Sequence, residues 1–266
     1  MRETKKNQPE VVVSMTSFPG AISYAVKAVR SILDGSVLPD RLVLYLTLSD
    51  FGEKGLPDEL SRLVEENDIF EIRDHAPDLR SYMKLVPALH DFPDAVIVTV
   101  DDDVDYYRHT LKRLLKWHRK YPDAVIAHRT RRIMPGCAYR EWKRYKWYHF
   151  LYQKVDPGFG ILQTGVGGAL YPPRSLRMDM IDPELFQRVA PTTDDIWFWA
   201  AAVANGTKIF PVPFGYYKPR DLPKPKQLAL KTRNFRGEED LNLRALNAIM
   251  ENYPDVAQKL EQSCKR

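Results

Sequence analysis

The chain has 266 residues, with 40 Lys and Arg against 35 Asp and Glu and a net charge of +5. That length buries an adequate core, and so mild an excess permits a phosphate-bearing ligand or an anionic surface without requiring either. Two cysteines, Cys137 and Cys264, exclude a disulfide framework and a Cys/His metal site, and the longest apolar run, 196–204, is about half a membrane span, so a soluble, cytoplasmic protein is expected.

From residue 11 the chain alternates between two periodicities. Residues 11–15 are an apolar run of strand length, followed by Thr16-Ser17-Phe18-Pro19-Gly20, a turn rich in small hydroxyls. Ile22, Ala25, Val26, Val29, Ile32 and Leu33 repeat at helical spacing up to Asp34-Gly35, and residues 41–47 read as a second strand. Leu60, Leu63 and Val64 mark a helix, residues 69–73 a third strand, and Tyr82, Leu85, Val86 and Leu89 a helix leading into a strand over 95–100. Such alternation predicts a parallel sheet with helices on both faces, whose ligands bind beyond the carboxyl ends of the strands. The segments 16–20, 74–81 and 101–103 all follow strands and should gather at that edge.

The β-branched run at 95–100 stops at Asp101-Asp102-Asp103, with no Gly or Pro to explain the stop. Three adjacent aspartates repel one another unless a cation or many donors compensate them. Extended backbone alternates its side chains, which puts Asp101 and Asp103 on one side and Asp102 on the other. An acidic loop that caps the next helix is the plainer alternative. Leu111, Leu114, Leu115 and His118 give that helix, and residues 124–127 a further strand. Residues 128–132 are basic, and 139–152 mix aromatics with Arg140, Lys143, Arg144 and Lys146 without periodicity. This stretch reads either as a solvated face with aromatic anchors or as a surface that grips an anionic partner.

Residues 158–173 are glycine-rich but lack the Lys-Ser/Thr of a P-loop, so the glycines either let backbone close on a ligand or make a hairpin. Thr193-Asp194-Asp195 opens a helix that Asn205-Gly206 ends. Thr193 is the expected N-cap and Asp194 suits the helix dipole, which leaves no capping role for Asp195. Residues 211–226, rich in Pro, Lys and Tyr, read as a long loop or lid, 238–250 as a closing helix, and the last residues as a charged tail.

In this order, the hydroxyl-rich loop, the Asp triad, the glycine strand and the Asp-Asp helix start resemble the nucleotide-sugar-dependent glycosyltransferases of the GT-A fold. The likeness is greatest to the small bacterial enzymes that build capsular and lipopolysaccharide glycans. The resemblance implies an α/β fold: a Rossmann-like, mostly parallel central sheet flanked by helices, with a C-terminal lid and helix. Its domains would be a polar segment over 1–9, a GT-A domain over 10–210 divided at 105 into nucleotide-binding and acceptor-side halves, and a lid, closing helix and tail over 211–266. It implies Mn²⁺ or Mg²⁺ held through Asp103, with Asp101 as a second ligand or turned toward ribose, and Asp102 within the same donor-binding motif. Thr16, Ser17 and Phe18 would line the base pocket, Asp74 would meet base or ribose, and Lys84 would lie near the nucleotide unless it is a solvated helix residue. Gly167 and Gly168 would border the transferred sugar. Asp195 would be the carboxylate at the acceptor hydroxyl, with Asp194 beside it where many relatives carry Glu. The implied partners are a nucleotide-sugar donor, a UDP-sugar first, and a glycan or lipid-linked acceptor, with peripheral contact at an anionic membrane and no nucleic acid. Diphosphate contacts from Lys224, Lys226, Arg233 or Arg236 stay open.

Three rivals share parts of the pattern. A sugar-phosphate nucleotidyltransferase wants a Gly-rich N-terminal loop with Arg and Lys, which residues 15–20 lack. A haloacid-dehalogenase-type phosphatase wants its nucleophilic Asp after the first strand, whereas the triad follows the fourth. A nucleic-acid-binding module would use the basic aromatic stretch, but the acidic triad opposes a phosphate backbone.

Overall fold

In the computed structural model, which describes residues 8–213, 220–222 and 240–264, the apolar runs become strands. These are β1 (Val11–Thr16), β2 (Arg41–Leu46), β3 (Phe70–Asp74), β4 (Val96–Thr99), β5 (Val104–Asp105), β6 (Val125–Arg132), β7 (Ile161–Tyr171), β8 (Ile209–Pro211) and β9 (Arg220–Asp221). Seven of them form one sheet in the order β3-β2-β1-β4-β7-β6-β8, and β5 pairs with β9 in a second, two-stranded ladder. β1 is parallel to β2 and β4, and β2 to β3. β7 runs antiparallel to both β4 and β6, so β6 points the same way as β4 and the sheet is mostly parallel.

Helices cover both faces, because alternate residues of buried strands face opposite ways. Val13, Met15, Leu42, Leu44 and Val98 share one core with α1 (Ile22–Leu33), α2 (Asp58–Glu66) and α4 (Thr110–Lys120). Val12, Val43, Tyr45 and Ile97 share the other with α3 (Val86–Asp91), α6 (Pro183–Val189), α7 (Asp194–Ala204), α8 (Leu241–Asn252) and α9 (Pro254–Cys264). The four-residue α5 (His149–Tyr152) stands outside both cores. α7 is apolar around its whole circumference from Ile196 to Val203 and is buried accordingly.

Several expectations need correction. The segment 82–89 is two elements, a 3-10 turn over Arg80–Lys84 followed by α3, because Pro87 favours the first turn of a new helix. The strand at 124–127 continues through the basic residues to Arg132. The glycine stretch is no hairpin but the single long strand β7. The charged tail is helix α9, which buries Val256 and Leu260 at i, i+4 spacing. Of the lid, residues 220–222 run antiparallel beside the triad, with the Leu222 N–H donating to Asp103 O at 2.8 Å. Lys224, Lys226, Arg233 and Arg236 lie outside the described residues.

Candidate active site

The site is assembled by three elements that meet at the carboxyl edge of the sheet: the loop after β4, the 3-10 turn before α3, and the first turn of α7. Lys84 joins them. Its ammonium lies 3.0 Å from Asp101 Oδ1, 2.9 Å from Asp194 Oδ2 and 3.9 Å from Asp195 Oδ1, and its side chain is 8% exposed. Burial opposes its charge, but the three carboxylates outweigh burial and hold its pKa well above the ordinary lysine value. The compensating cation that the triad demanded is thus partly internal. Lys84 is buried rather than solvated, and it bridges the two acidic motifs.

Asp195 sits differently. Gly165 N–H donates to its Oδ1 at 3.0 Å, while Gln163 Nε2 donates to its backbone oxygen at 3.2 Å. Burial, with Asp194 and Asp101 adding to it, raises its pKa to about 7 against the lowering effects of Lys84 and the Gly165 N–H. A carboxyl poised near neutrality serves as a proton acceptor. The expected cap is absent: Thr193 makes no side-chain capping hydrogen bond and its hydroxyl is buried without a partner. The Asp195 carboxylate is therefore placed by β7 and Lys84, not by a division of capping labour.

The glycines of β7 explain how backbone gets so close. Between the pairs Ala127↔Ala169 and Arg129↔Thr164 the register jumps, so residues 165–168 bulge opposite His128. Gly167 and Gly168 take φ of 91° and 93°, which L side chains rarely adopt. They shape the bulge, whereas Gly165 faces the charges: a Cβ there would lie 2.6 Å from Lys84 Nζ and 2.8 Å from Asp101 Oδ1. Gly165→Ala should push the ammonium off its partners and destabilise the protein by about 1–3 kcal/mol, the usual cost of overpacking. Urea denaturation measures it, and a change within error would mean that the pocket yields freely.

Within the triad, alternation holds for Asp102, which turns away, is buried, and accepts a 2.6 Å hydrogen bond from Ser17 Oγ. The Asp101 N–H donates to Tyr106 Oη at 2.7 Å. Burial first, then the charges of Asp101 and Asp103, raise the Tyr106 phenol well above its ordinary pKa. Both carboxylates are therefore close enough for their charges to act on that buried phenol. Among the described residues, no three His, Cys, Asp or Glu side chains cluster as a ready metal cage. Two carboxylates nevertheless fit a hard cation that completes its shell with substrate phosphates.

Other expected residues stand further out. Thr16 Oγ1 donates to Tyr45 O at 3.0 Å, and Phe18 is 40% exposed at the same edge. Asp74, at the end of β3, is exposed and accepts from the Leu48 N–H at 2.9 Å, away from the Lys84 cluster. Sequence reasoning missed Gly165 and Tyr106. The first could have been found as the glycine that opens the Gly165-Val166-Gly167-Gly168 run, the second as the aromatic closing the acidic loop.

Edge site, strand order and flanking helices define an α/β fold of the GT-A kind. No protein-family model matches the chain, and no curated protein sequence does. Among solved structures it is similar to a mannosyltransferase, PcManGT from Pyrobaculum calidifontis, in complex with GDP-Man and Mn²⁺. The similarity covers 98% of this chain and 76% of that one, at 15% identity and a TM-score of 0.52.

Proposed function

We propose that the protein is a metal-dependent glycosyltransferase that moves a sugar from a nucleoside-diphosphate donor to a glycan or lipid-linked acceptor in surface polysaccharide synthesis. One observation carries the reading: Asp101 of the triad and Asp194 of the helix start, 93 residues apart in sequence, converge on one buried ammonium at the ligand edge of a GT-A-like sheet. Asp103 and Asp101 would hold Mn²⁺ or Mg²⁺ together with the donor diphosphate. Such a cation, when bound, neutralises charge that develops on the leaving phosphate. Ser17, held by Asp102, and Phe18 would border the base, Thr16 would support that loop, and Asp74 would reach ribose or base from the next strand. Gly167 and Gly168 would flank the sugar.

For an inverting reaction, the acceptor oxygen attacks the anomeric carbon, the bond to the diphosphate oxygen breaks, and Asp195 takes the hydroxyl proton. The Gly165 N–H and Lys84 would hold that carboxylate at the edge of the donor site. A retaining reaction would give Asp195 the role of positioning the acceptor or of stabilising positive charge on the sugar. The donor nucleotide follows from base-pocket shape, so GDP-mannose, which the structural neighbour binds, belongs in the first test beside the UDP-sugars.

Thermal denaturation with a panel of nucleotide sugars, with and without Mn²⁺, tests donor binding. A donor at about 100 times its Kd should stabilise the wild type by about 2.7 kcal/mol. Asp103→Asn keeps the shape but removes a charge, so the Mn²⁺-dependent part of that stabilisation should fall away. Unchanged stabilisation in Asp103→Asn would sink the metal assignment.

A further inference from the structure

Large apolar side chains exposed among the described residues are scattered singly, except over 147–152. There Trp147, Tyr148, Leu151 and Tyr152 are 56%, 38%, 58% and 86% exposed. The chain around them is basic and open to solvent: Arg140, Lys143, Arg144 and Lys146 are all exposed, while Lys154 is paired with Asp156 at 3.0 Å. Glu141 is the sole acidic residue between 139 and 155.

These outward side chains are presented by an anchored loop. Trp142 is 1% exposed, and its indole N–H donates to Cys137 O at 3.0 Å. Arg131 Nη1 donates to Trp142 O at 2.7 Å while its guanidinium lies 4.5 Å from the centre of the Tyr139 ring. The Arg132 N–H donates to Lys143 O at 2.8 Å, and the Lys146 N–H to His149 Nδ1 at 2.8 Å. Arg131 thus works inward as a clamp, and the cations available to a partner are those beyond it. The loop leaves the carboxyl end of β6, the same sheet edge as Asp101, and burial followed by the Asp195 charge raises the pKa of its Tyr139.

We propose that residues 140–152 dock the protein on an anionic membrane, with Trp147, Tyr148, Leu151 and Tyr152 entering the interfacial layer while Lys143, Arg144 and Lys146 meet the headgroups. Tryptophan and tyrosine favour that layer, and cations beside it gain from the negative surface potential. Leu151 discriminates between partners: an exposed leucine offers nothing to a nucleic-acid backbone but is favourable among acyl chains. Docking would set the active-site edge against the lipid surface, where a lipid-linked acceptor presents its sugar. That last consequence rests on the glycosyltransferase reading; the docking itself needs neither donor nor metal, so the two fail separately.

Flotation of the full chain with vesicles of phosphatidylcholine, alone or mixed with phosphatidylglycerol, tests the proposal. The wild type should float with the anionic vesicles, less so at high salt, and stay behind with the neutral ones. Removing one cation should weaken binding about fivefold, so Lys143→Glu with Lys146→Glu should weaken it at least about 25-fold. Leu151→Ser should weaken binding without changing its salt dependence. All three side chains are exposed, and circular dichroism confirms that the variants fold. A vesicle-induced blue shift in tryptophan emission that disappears in Trp147→Phe places the loop in the interface. Absence of binding to anionic vesicles would overturn the proposal, as would binding that survives Leu151→Ser and is matched by a single-stranded oligonucleotide.

Discussion

Lys84→Met should destabilise the protein by about 2–4 kcal/mol at pH 8, because it leaves the buried Asp194 and the partly buried Asp101 and Asp195 facing one another without their cation. Methionine keeps the length and apolar stem of the side chain, so the loss reports charge rather than volume. The pH dependence has a definite sign. In the wild type, Lys84 has a folded pKa above its unfolded value, so its contribution is fully present below the unfolded pKa and is lost as pH rises through the folded one. In the variant, Asp195 loses the ammonium that opposes the rise of its pKa and binds a proton more readily. The deficit should therefore shrink as pH falls from 8 toward 5. Urea denaturation at both pH values measures this. A loss below about 1 kcal/mol, far under the cost of breaking a buried pair, or an equal loss at both pH values would show that the cluster is solvated and that Lys84 is peripheral. Because the same ammonium orients both acidic motifs, glycosyl transfer should disappear along with the stability.

Asp195→Asn should separate activity from stability. Loss of a general base costs roughly 10²- to 10⁴-fold, so transfer should fall on that scale while donor affinity stays close to wild type. Stability should move the other way. The Asp195 pKa is raised from 3.8 to about 7 on folding, so the unfolded chain gives up this proton at lower pH than the folded one. Asp195 therefore costs stability progressively as pH rises from about 4 to about 7, and the cost is complete above that window. Its side chain keeps 31% exposure, which screens part of the effect, and Asn should gain about 1–2 kcal/mol at pH 8 and nothing near pH 4. Wild-type transfer should correspondingly rise through about pH 7 as the base loses its proton. Product configuration, read by NMR, fixes the role: an inverted anomer fits the base, a retained one excludes it, and full transfer in Asp195→Asn excludes any chemical role.

The strands and the first helices were legible because β-branched runs and i, i+3, i+4 spacing are local signals, and parallel topology follows from their alternation. The carboxyl edge and its acidic triad followed from the same reasoning. What was not legible is tertiary. Lys84 sits in a short 3-10 turn with no periodicity of its own, and its meaning lies in two carboxylate motifs that only folding brings to it. Gly165 looked like one glycine among five in its stretch, since the side chains that a Cβ there would displace belong to residues 81 and 64 positions away. Thr193 had the composition of a cap, but β7 and Lys84 place the Asp-Asp pair and leave its hydroxyl without a partner. Helix α9 was the reverse case: Val256 and Leu260 already had helical spacing, hidden by the charged residues around them.

Release of nucleoside diphosphate is the most direct test of the claim that this edge cleaves a nucleotide sugar. Wild type, Lys84→Met and Asp103→Asn are incubated with GDP-mannose and with UDP-sugars in Mn²⁺, and the nucleotides are separated by chromatography. The wild type should release GDP or UDP from at least one donor, slowly to water and faster with an acceptor glycan, with loss of release in both variants and on removal of the metal by chelation. No release from any donor, or release that persists in both variants, would contradict the account.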